Sequence, residues 1–276
     1  MSPSENSGGT MRVRREPPTF RRLVVRRVEY LTPYLARVTF TGRDLEGFSV
    51  DQPAASVRLL LPAPEEQTLV MPLWNGNEFL LSDGRRPTIR TFTPRRVDGK
   101  ALELDLDIVV HGGGAASDWV EAAAPGDPAA VSGPGRGYSI DTNASRFLLA
   151  GDETAIPAIS QLLEAIPAEM AVQAILEIAH PDARLALPGH PRATVEWYQQ
   201  SPGAAPGSAL VAAVGSAPLD AGTRVWVAGE AAAMHRVRRH FFKDLGLSRG
   251  MFTIRGYWKH GRKKDTTDGQ PMTAES

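Results

Sequence analysis

The sequence predicts a fold of two parts, an antiparallel β-barrel followed by an α/β half with a doubly wound parallel sheet. Up to about residue 143 the chain has the pattern of strands separated by Pro and Gly, with one short helix expected at 115–123. After residue 146 short apolar strands alternate with helices, which is typical of a parallel sheet covered by helices. Hydrophobic residues make up 42% and charged residues 22% of the 276, as in ordinary globular proteins.

The strands of the first half show period-two alternation and are expected to form a small Greek-key barrel. In 101–109, four apolar residues beginning at Leu102 alternate with Glu103, Asp105 and Asp107. This alternation predicts an antiparallel strand whose leucine face is buried and whose acidic face is open to solvent. The other strands that we expect are 22–30, 34–42 and 56–61.

The second half begins with a buried strand at 147–150, and a helix follows with one apolar face that includes Ile159 and Leu162. Further strands are expected at 171–179, 193–198, 224–228 and 251–257, and helices at 208–214 and 231–245. We therefore expect a barrel domain over 19–143 and an α/β domain over 144–261, with mobile tails at 1–18 and 262–276.

The composition excludes several classes of function. Cysteine is absent, which excludes disulfides, cysteine-ligated iron–sulfur clusters and thiol catalysis. Basic and acidic residues are equal in number, at 31 each, so the net charge gives no indication of a polyanionic partner, and we expect no nucleic-acid partner. No apolar run approaches the roughly 20 residues of a transmembrane helix, and the N-terminus lacks a signal-like apolar segment. We expect no membrane insertion, a cytoplasmic location and, because no histidine has metal-ligand spacing, no metal site.

The stretch 86–95 has the side chains that a flavin cofactor needs. Arg90 supplies a cation for phosphate, Phe92 an aromatic surface for the ring system, and Thr93 a hydrogen-bond donor. Strand periodicity places Arg90 and Phe92 on one face and Thr93 on the other. The alternative interpretation is an ordinary edge strand that is rich in arginine.

A second stretch, 111–119, is typical of a phosphate-binding loop. A strand ends at His111, three glycines follow, and a helix begins. Glycines let the backbone approach a ligand closely, and the free N–H groups of a helix N-terminus favour an anion. Ser117 would add a hydroxyl donor. The alternative is a flexible turn in which Ser117 is the N-cap residue.

Two further stretches, 149–157 and 225–230, each place a glycine at the end of a predicted sheet strand. The first contains Gly151, Asp152, Glu153 and Thr154, and it is not the G-x-G-x-x-G dinucleotide fingerprint. The second ends in Gly229 and Glu230 and is expected to lie beside the first, so the two would flank a nicotinamide cleft. The alternative for 149–157 is simple helix capping by Thr154, with Pro157 in the first turn.

The last stretch, 256–262, ends the final strand with two aromatic residues and leads into basic ones. Trp258 would cover the flavin, and Lys259 would face an anionic substrate. The alternative is a core aromatic residue followed by a basic tail.

In this order, the five stretches resemble the siderophore-interacting protein family of FAD-dependent ferric-siderophore reductases, over Arg22 to Gly261. The resemblance implies that FAD is the cofactor and NADH or NADPH the co-substrate. The implied FAD-binding residues are Arg90, Thr91, Phe92, Thr93, His111, Gly113, Gly114, Ala115, Ala116, Ser117 and Trp258. The implied residues that bind the nicotinamide nucleotide are Gly151, Asp152, Glu153, Thr154, Gly229 and Glu230. Phe92 departs from the family's usual Tyr, so the hydrogen bond of that hydroxyl is absent here.

The resemblance also implies the substrate and the mechanism. Arg58, Arg136 and Lys259 are expected to attract an anionic ferric siderophore, and the protein is expected to act as a monomer. Hydride would pass from NAD(P)H to the flavin, and single electrons would then reduce siderophore-bound Fe(III). Two alternatives remain open: a ferredoxin-reductase-like flavoprotein that supplies a protein partner, and a siderophore-binding module without turnover. The choice between NADH and NADPH also remains open, because Asp182 would repel a 2′-phosphate whereas Arg184 and Arg192 would bind one.

Overall fold

The computed structural model describes residues 19–63, 66 and 68–261, so both expected tails, 1–18 and 262–276, lie outside the described residues. The first half contains nine strands and one helix: β1 (Arg21–Thr32), β2 (Leu35–Thr41), β3 (Val57–Leu61), β4 (Leu73–Trp74), β5 (Phe79–Leu80), β6 (Thr88–Phe92), β7 (Pro94–Asp98), β8 (Glu103–Val109), α1 (Ala115–Ala122) and β9 (Pro128–Ser132). The second half contains β10 (Arg146–Gly151), α2 (Ile156–Ala165), β11 (Ala171–Ile178), β12 (Ala193–Gln199), α3 (Ser208–Ser216), β13 (Thr223–Glu230), α4 (Ala231–Arg239) and β14 (Phe252–Trp258).

Seven antiparallel strands of the first half form one curved sheet in the order β6-β3-β9-β1-β2-β8-β7. Its two end strands, β6 and β7, are consecutive in the chain and are separated only by Thr93. The chain therefore passes directly from one edge of the sheet to the other, and β6 also contacts β8. The inward-facing side chains, among them Val38, Phe40 and Leu104, form one buried core inside this barrel.

The second half is a parallel sheet of five strands in the order β12-β11-β10-β13-β14. Helix α2 packs on one face, where Phe147 and Leu149 lie, and α3 and α4 pack on the other, where Leu148 and Val225 lie. From β10 the chain moves outward to β11 and β12, and it then crosses back to β13 and β14. Ligands bind at the carboxyl ends of strands where the direction of winding reverses, which here is between β10 and β13. Both parts of the predicted fold class are confirmed.

The acidic face of β8 is buried, which corrects the prediction of a solvent-exposed face. Asp107 receives two hydrogen bonds from Arg37 of the neighbouring β2, at 2.7 and 2.9 Å, and Asp105 receives one from Thr39 at 2.5 Å. Strand register places these partners directly opposite. Burial is tolerated because each carboxylate is paired or hydrogen-bonded. Leu102 adopts φ 53 in the turn before the strand and is not part of it.

Two other elements differ from the sequence prediction. The helix expected at 231–245 ends at Arg239 and continues as a π-helical turn, His240–Asp244. The hairpin of β4 and β5 was not predicted, and its Phe79 packs on the outside of the barrel against Leu60 and Ile89. Among the described residues, none of the helices combines the length and the apolarity that crossing a bilayer requires.

The two halves are joined through the backbone of Ala54, a residue of the barrel half with φ 54. Its N–H donates to the Gln161 side chain of α2 at 2.8 Å, and its carbonyl accepts from Arg255 of β14 at 2.7 Å. Gln161 also donates to the Pro94 carbonyl at 2.7 Å, and Arg255 donates to that of Gly137 at 2.9 Å. These contacts fix the crevice between the barrel and the parallel sheet.

Candidate active site

Strand β6 brings Arg90 and Phe92 to one face, as predicted. In the register with β3, Arg90 lies opposite Leu59 and Phe92 opposite Val57, both of which point into the barrel. Phe92 is half-buried and packs partly against the barrel core, whereas the half-buried Arg90 donates to the Ile89 carbonyl at 2.8 Å. Thr91 points to the opposite, outer face and is exposed.

Thr93 is buried at the junction of β6 and β7, where the barrel closes. Its Oγ1 lies 3.4 Å from the hydroxyl oxygen of Tyr257, the second-last residue of β14. Burial raises the pKa of Tyr257, so the phenol is neutral and remains a donor. Sequence analysis missed Tyr257 as a site residue, although it stands next to Trp258 in the same aromatic pair.

The glycine loop between β8 and α1 has a phosphate-binding geometry. Gly112, Gly113 and Gly114 adopt backbone φ angles of 60°, 144° and 121°, which residues with a Cβ atom rarely adopt. Helix α1 begins with Gly114 at the N-cap and no capping side chain, so no side chain satisfies the N–H groups of its first turn. An added Cβ at Gly112 or Gly113 would meet no atom within 4 Å, so the loop faces open space. These donors fit a pyrophosphate.

The side chain of Ser117 makes a contact that the sequence did not indicate. Its side chain is buried, and its oxygen accepts the His111 N–H at 3.0 Å, which holds the exposed His111 at the start of the loop. It does not cap α1, because the N-cap is Gly114. Ala115 and Ala116 occupy the first turn of the helix and are half-buried.

The carboxyl ends of β10 and β13 lie side by side, as predicted, with Gly151 opposite Ala228 in the register. Asp152, directly after β10, is buried, and its carboxylate accepts four hydrogen bonds. One oxygen accepts from the Thr154 N–H at 3.0 Å and the Thr154 hydroxyl at 2.5 Å. The other accepts from the Glu230 N–H at 3.0 Å and the Trp258 indole at 2.7 Å. Asp152 therefore joins three of the predicted segments.

Glycine is required at both strand ends. A Cβ on Gly151 would lie 2.3 Å from Ala155 and 2.7 Å from the Ala228 carbonyl. At Gly229 it would lie 2.7 Å from an oxygen of Asp152. Only glycine therefore fits the close packing of these two strand ends.

Buried carboxylates cap the turns at this edge of the sheet. Thr154 is not the N-cap residue of a helix, which was the alternative considered from the sequence. Asp152 is the N-cap residue of a 3-10 turn at 153–155, and Pro157 lies in the first turn of α2 as expected. Glu230 accepts the Ala233 N–H of α4 at 2.9 Å, and Glu153 accepts the Ala179 N–H. Burial raises the pKa of Asp152 and of Glu153 above their usual values.

The three predicted substrate residues lie along the outer rim of the barrel and the end of β14. Arg58 of β3 pairs in register with Thr91 and Ser132 and is half-buried, and its guanidinium makes no hydrogen bond or ion pair with the other described residues. Burial lowers the pKa of this side chain. Arg136 is exposed in the loop after β9, and its carbonyl accepts from Arg255 at 3.4 Å. Lys259 is exposed in the turn after β14.

A contact that the sequence did not reveal joins the glycine loop to the parallel sheet. The ring of Tyr34, in the turn between β1 and β2, lies 4.9 Å from that of His180, which follows β11. The Tyr34 carbonyl accepts the Val110 N–H at 2.8 Å, one residue before His111. No local pattern signals this contact, because its members are far apart in the chain.

Two family models match consecutive parts of the chain. The model of the siderophore-interacting FAD-binding domain matches residues 24–138, and that of the siderophore-interacting protein family matches residues 144–261. An uncharacterized protein of Mycobacterium tuberculosis is 33% identical over 251 residues, which cover 86% of this chain and 89% of that protein. The ferric vibriobactin reductase of Vibrio cholerae is 28% identical, with 87% and 89% covered.

Further similarities are consistent with this result. The NADPH-dependent ferric-chelate reductase of Escherichia coli is 28% identical over 229 residues, which cover 80% of this chain and 86% of that enzyme. A crystal structure of a siderophore utilization protein from T. fusca superimposes with a TM-score of 0.80 at 35% identity, covering 90% of this chain and 96% of that one. FAD is the cofactor of the first half, which matches the model of an FAD-binding domain. With both halves matched and a glycine loop suited to pyrophosphate, the chain belongs to the siderophore-interacting protein family.

Proposed function

We propose that this protein reduces ferric siderophores with electrons from NAD(P)H and thereby releases Fe(II). The observation that carries the proposal is the pair of consecutive residues at the end of β14. Tyr257 contacts Thr93 at the closure of the barrel, and Trp258 donates to Asp152 at the edge of the parallel sheet. One short segment thus connects the flavin strand to the nicotinamide edge. Two relatives that are named as ferric reductases support the same reaction.

In this proposal the barrel residues hold FAD. Arg90 and the N–H groups of Gly113, Gly114, Ala115, Ala116 and Ser117 bind its phosphates, and His111 lies beside them. Phe92 and Thr93 line the ring system, and Trp258 covers it. When bound, FAD supplies the redox chemistry, since it accepts a hydride from NAD(P)H and passes single electrons to Fe(III).

The edge of the parallel sheet positions the nicotinamide. The ring is proposed to lie at the ends of β10 and β13, where Gly151 and Gly229 let the two strand ends pack closely against their neighbours. Asp152 fixes the indole of Trp258, Glu230 fixes the start of α4, and Glu153 and Thr154 hold the first turn after β10. These hydrogen bonds keep the site rigid, so that little reorganisation is needed when hydride transfer occurs.

Arg58, Arg136 and Lys259 attract the ferric siderophore in this proposal. Arg58 supports it because a half-buried cation that pairs with no other described residue gains stabilisation from an anionic ligand. The attraction is expected to weaken at high ionic strength, since salt screens charges that are exposed. An Arg58→Gln variant should lower the rate with an anionic ferric siderophore without changing reduction by NAD(P)H. Arg96→Gln, an exposed arginine of β7, is the matched control.

We also propose that the protein is a monomer of the cytoplasm, where NAD(P)H is available. The barrel and α/β domains are proposed to divide at residues 143 and 144. Light scattering after gel filtration tests the oligomeric state, and limited proteolysis tests the domain boundary, since cleavage between the domains should give two fragments that divide near residue 143.

The reaction itself is tested by following the visible spectrum of the purified protein without oxygen. NADH or NADPH should bleach the flavin bands, and a ferric siderophore should restore them while an Fe(II)-specific chelator develops colour. Flavin bands that neither nucleotide bleaches would refute the proposal. If a flavodoxin restores the bands and ferric siderophores do not, the result would favour electron supply to a protein partner instead.

A further inference from the structure

The carboxyl edge of the parallel sheet is open on one side only. At the β14 side, the Trp258 indole donates to Asp152, and the His260 N–H donates to Glu230 at 3.2 Å. The residues at the end of β14 therefore cover that side. At the other side, β11 and β12 are followed by exposed turns. A dinucleotide with its nicotinamide between β10 and β13 must therefore extend its adenosine half over the end of β11.

The turn after β11 presents an acidic side chain at this place. His180 is the N-cap residue of a 3-10 turn, Pro181–Ala183, and its Nδ1 accepts the Asp182 N–H at 3.2 Å. Contacts with Glu153 and Tyr34 hold the turn from two sides. The Asp182 side chain is 70% exposed and is therefore accessible to a ligand, and one of its carboxylate oxygens lies 3.5 Å from His180 Nδ1.

One of the two arginines that remained candidates for a 2′-phosphate lies at the wrong edge of the sheet. The Arg192 carbonyl accepts the Val172 N–H at 3.0 Å, next to the start of β11, whereas Asp182 follows the end of that strand. The eight residues of β11 separate the two edges by about 25 Å. The Arg192 side chain instead donates to the Glu169 carbonyl at 2.6 Å.

The other arginine, Arg184, is at the correct edge but contacts a neighbour. Its guanidinium lies 5.7 Å from the centre of the Trp197 ring, in a cation–π contact. No other lysine or arginine occurs between residues 171 and 207 apart from Arg192. The buried Glu177 accepts the Gly207 and Leu210 N–H groups at 2.6 and 2.7 Å, so a carboxylate already occupies the start of α3, where a phosphate would otherwise bind.

We propose that NADH, and not NADPH, is the electron donor, and that Asp182 determines this choice by accepting a hydrogen bond from the 2′-hydroxyl of the adenosine ribose. A 2′-phosphate at the same place would bring negative charge against Asp182, with Glu177 behind it, and Arg184 is the one lysine or arginine of residues 171–207 at this edge. The inference depends on the proposed function only in taking a nicotinamide nucleotide as the reductant.

The test measures flavin reduction by stopped flow without oxygen and without any siderophore. The kcat/KM for NADH should exceed that for NADPH by about tenfold or more. Asp182→Ser should lower the NADH value by about tenfold, as expected for the loss of one hydrogen bond to a charged group, and should leave the NADPH value unchanged or higher. Arg184→Gln is the control and should leave the NADH value unchanged.

A second measurement does not depend on turnover. Calorimetric titration of the FAD-loaded protein should show tighter binding of 5′-AMP than of 2′,5′-ADP, and Asp182→Ser should remove the difference. Equal or tighter binding of 2′,5′-ADP would overturn the inference, as would a preference for NADPH that Arg184→Gln abolishes. If 5′-AMP binds as expected but neither nucleotide reduces the flavin, the proposed function fails while the assignment of Asp182 stands.

Discussion

Asp152→Asn tests the hydrogen-bond network that connects the nicotinamide edge to Trp258. The carboxylate accepts two donors on each oxygen, whereas an amide keeps one oxygen and places an NH2 group where the other stood. If the NH2 faces Thr154, the hydroxyl can rotate to accept, but the Thr154 N–H loses its acceptor. If it faces the other side, the Glu230 N–H and the Trp258 indole both lose theirs.

The magnitude follows from the number of donors left without an acceptor. Each buried donor without a partner costs about 1–3 kcal/mol, and bonds to a carboxylate are worth more than bonds to an amide. The loss is partly offset because the variant no longer buries a charge, the same burial that raises the pKa of Asp152. We therefore expect Asp152→Asn to lower the free energy of unfolding by about 2–4 kcal/mol.

The assay is urea unfolding of the FAD-loaded protein at pH 7, followed by circular dichroism, with Asp51→Asn as the control. Asp51 is exposed, so the control removes the same charge without breaking a buried contact. Trp258→Phe, which removes one donor and keeps an aromatic ring, should cost about 1 kcal/mol. If the free energy of unfolding of Asp152→Asn lies within about 1 kcal/mol of the wild-type value, the four hydrogen bonds of Asp152 do not stabilise the fold as we infer.

Three further outcomes are expected. Arg90→Ala should lose FAD during gel filtration while remaining folded; an unchanged flavin-to-protein ratio would show that the cofactor phosphate lies elsewhere. Arg37→Met leaves the buried Asp107 carboxylate without its cation and should cost about 3 kcal/mol in urea unfolding, against less than about 1 kcal/mol for Arg96→Met in an exposed pair. Glu153 has a raised pKa in the folded state, so wild-type stability should fall relative to Glu153→Gln as the pH rises above 4.5, and a difference that is constant between pH 4 and 8 would contradict this.

The fold was predictable because its signals are local. The alternation in β8 and the apolar face of α2 depend only on residues within one element, and the predicted bounds of β8 agree with the structure to within two residues. The acidic face of β8 was assigned wrongly because the partner of Asp107, Arg37, lies seventy residues away. A strand with charged residues on one face has the same pattern whether water or a second strand covers that face.

The candidate site was predictable where glycine has a steric reason. Gly114 and Gly151 stand at positions where a side chain would be strained or would collide, and both mark the site in the sequence. The contact of Tyr257 with Thr93 spans 164 residues, and nothing local to either residue announces it. The capping role of Thr154 was assigned wrongly because the chain enters α2 through a 3-10 turn, which places the cap two residues earlier, at Asp152.

The contacts of Ala54 affect how the nucleotide enters the site and how the product leaves it. Both of its backbone groups bind side chains of the other half, Gln161 and Arg255, so a hinge motion that separated the halves would have to break both bonds together. Exchange should therefore depend on local displacement of Trp258 and not on domain opening. Crystals with and without NADH should accordingly superimpose as a single rigid body, with the differences confined to the last residues of β14.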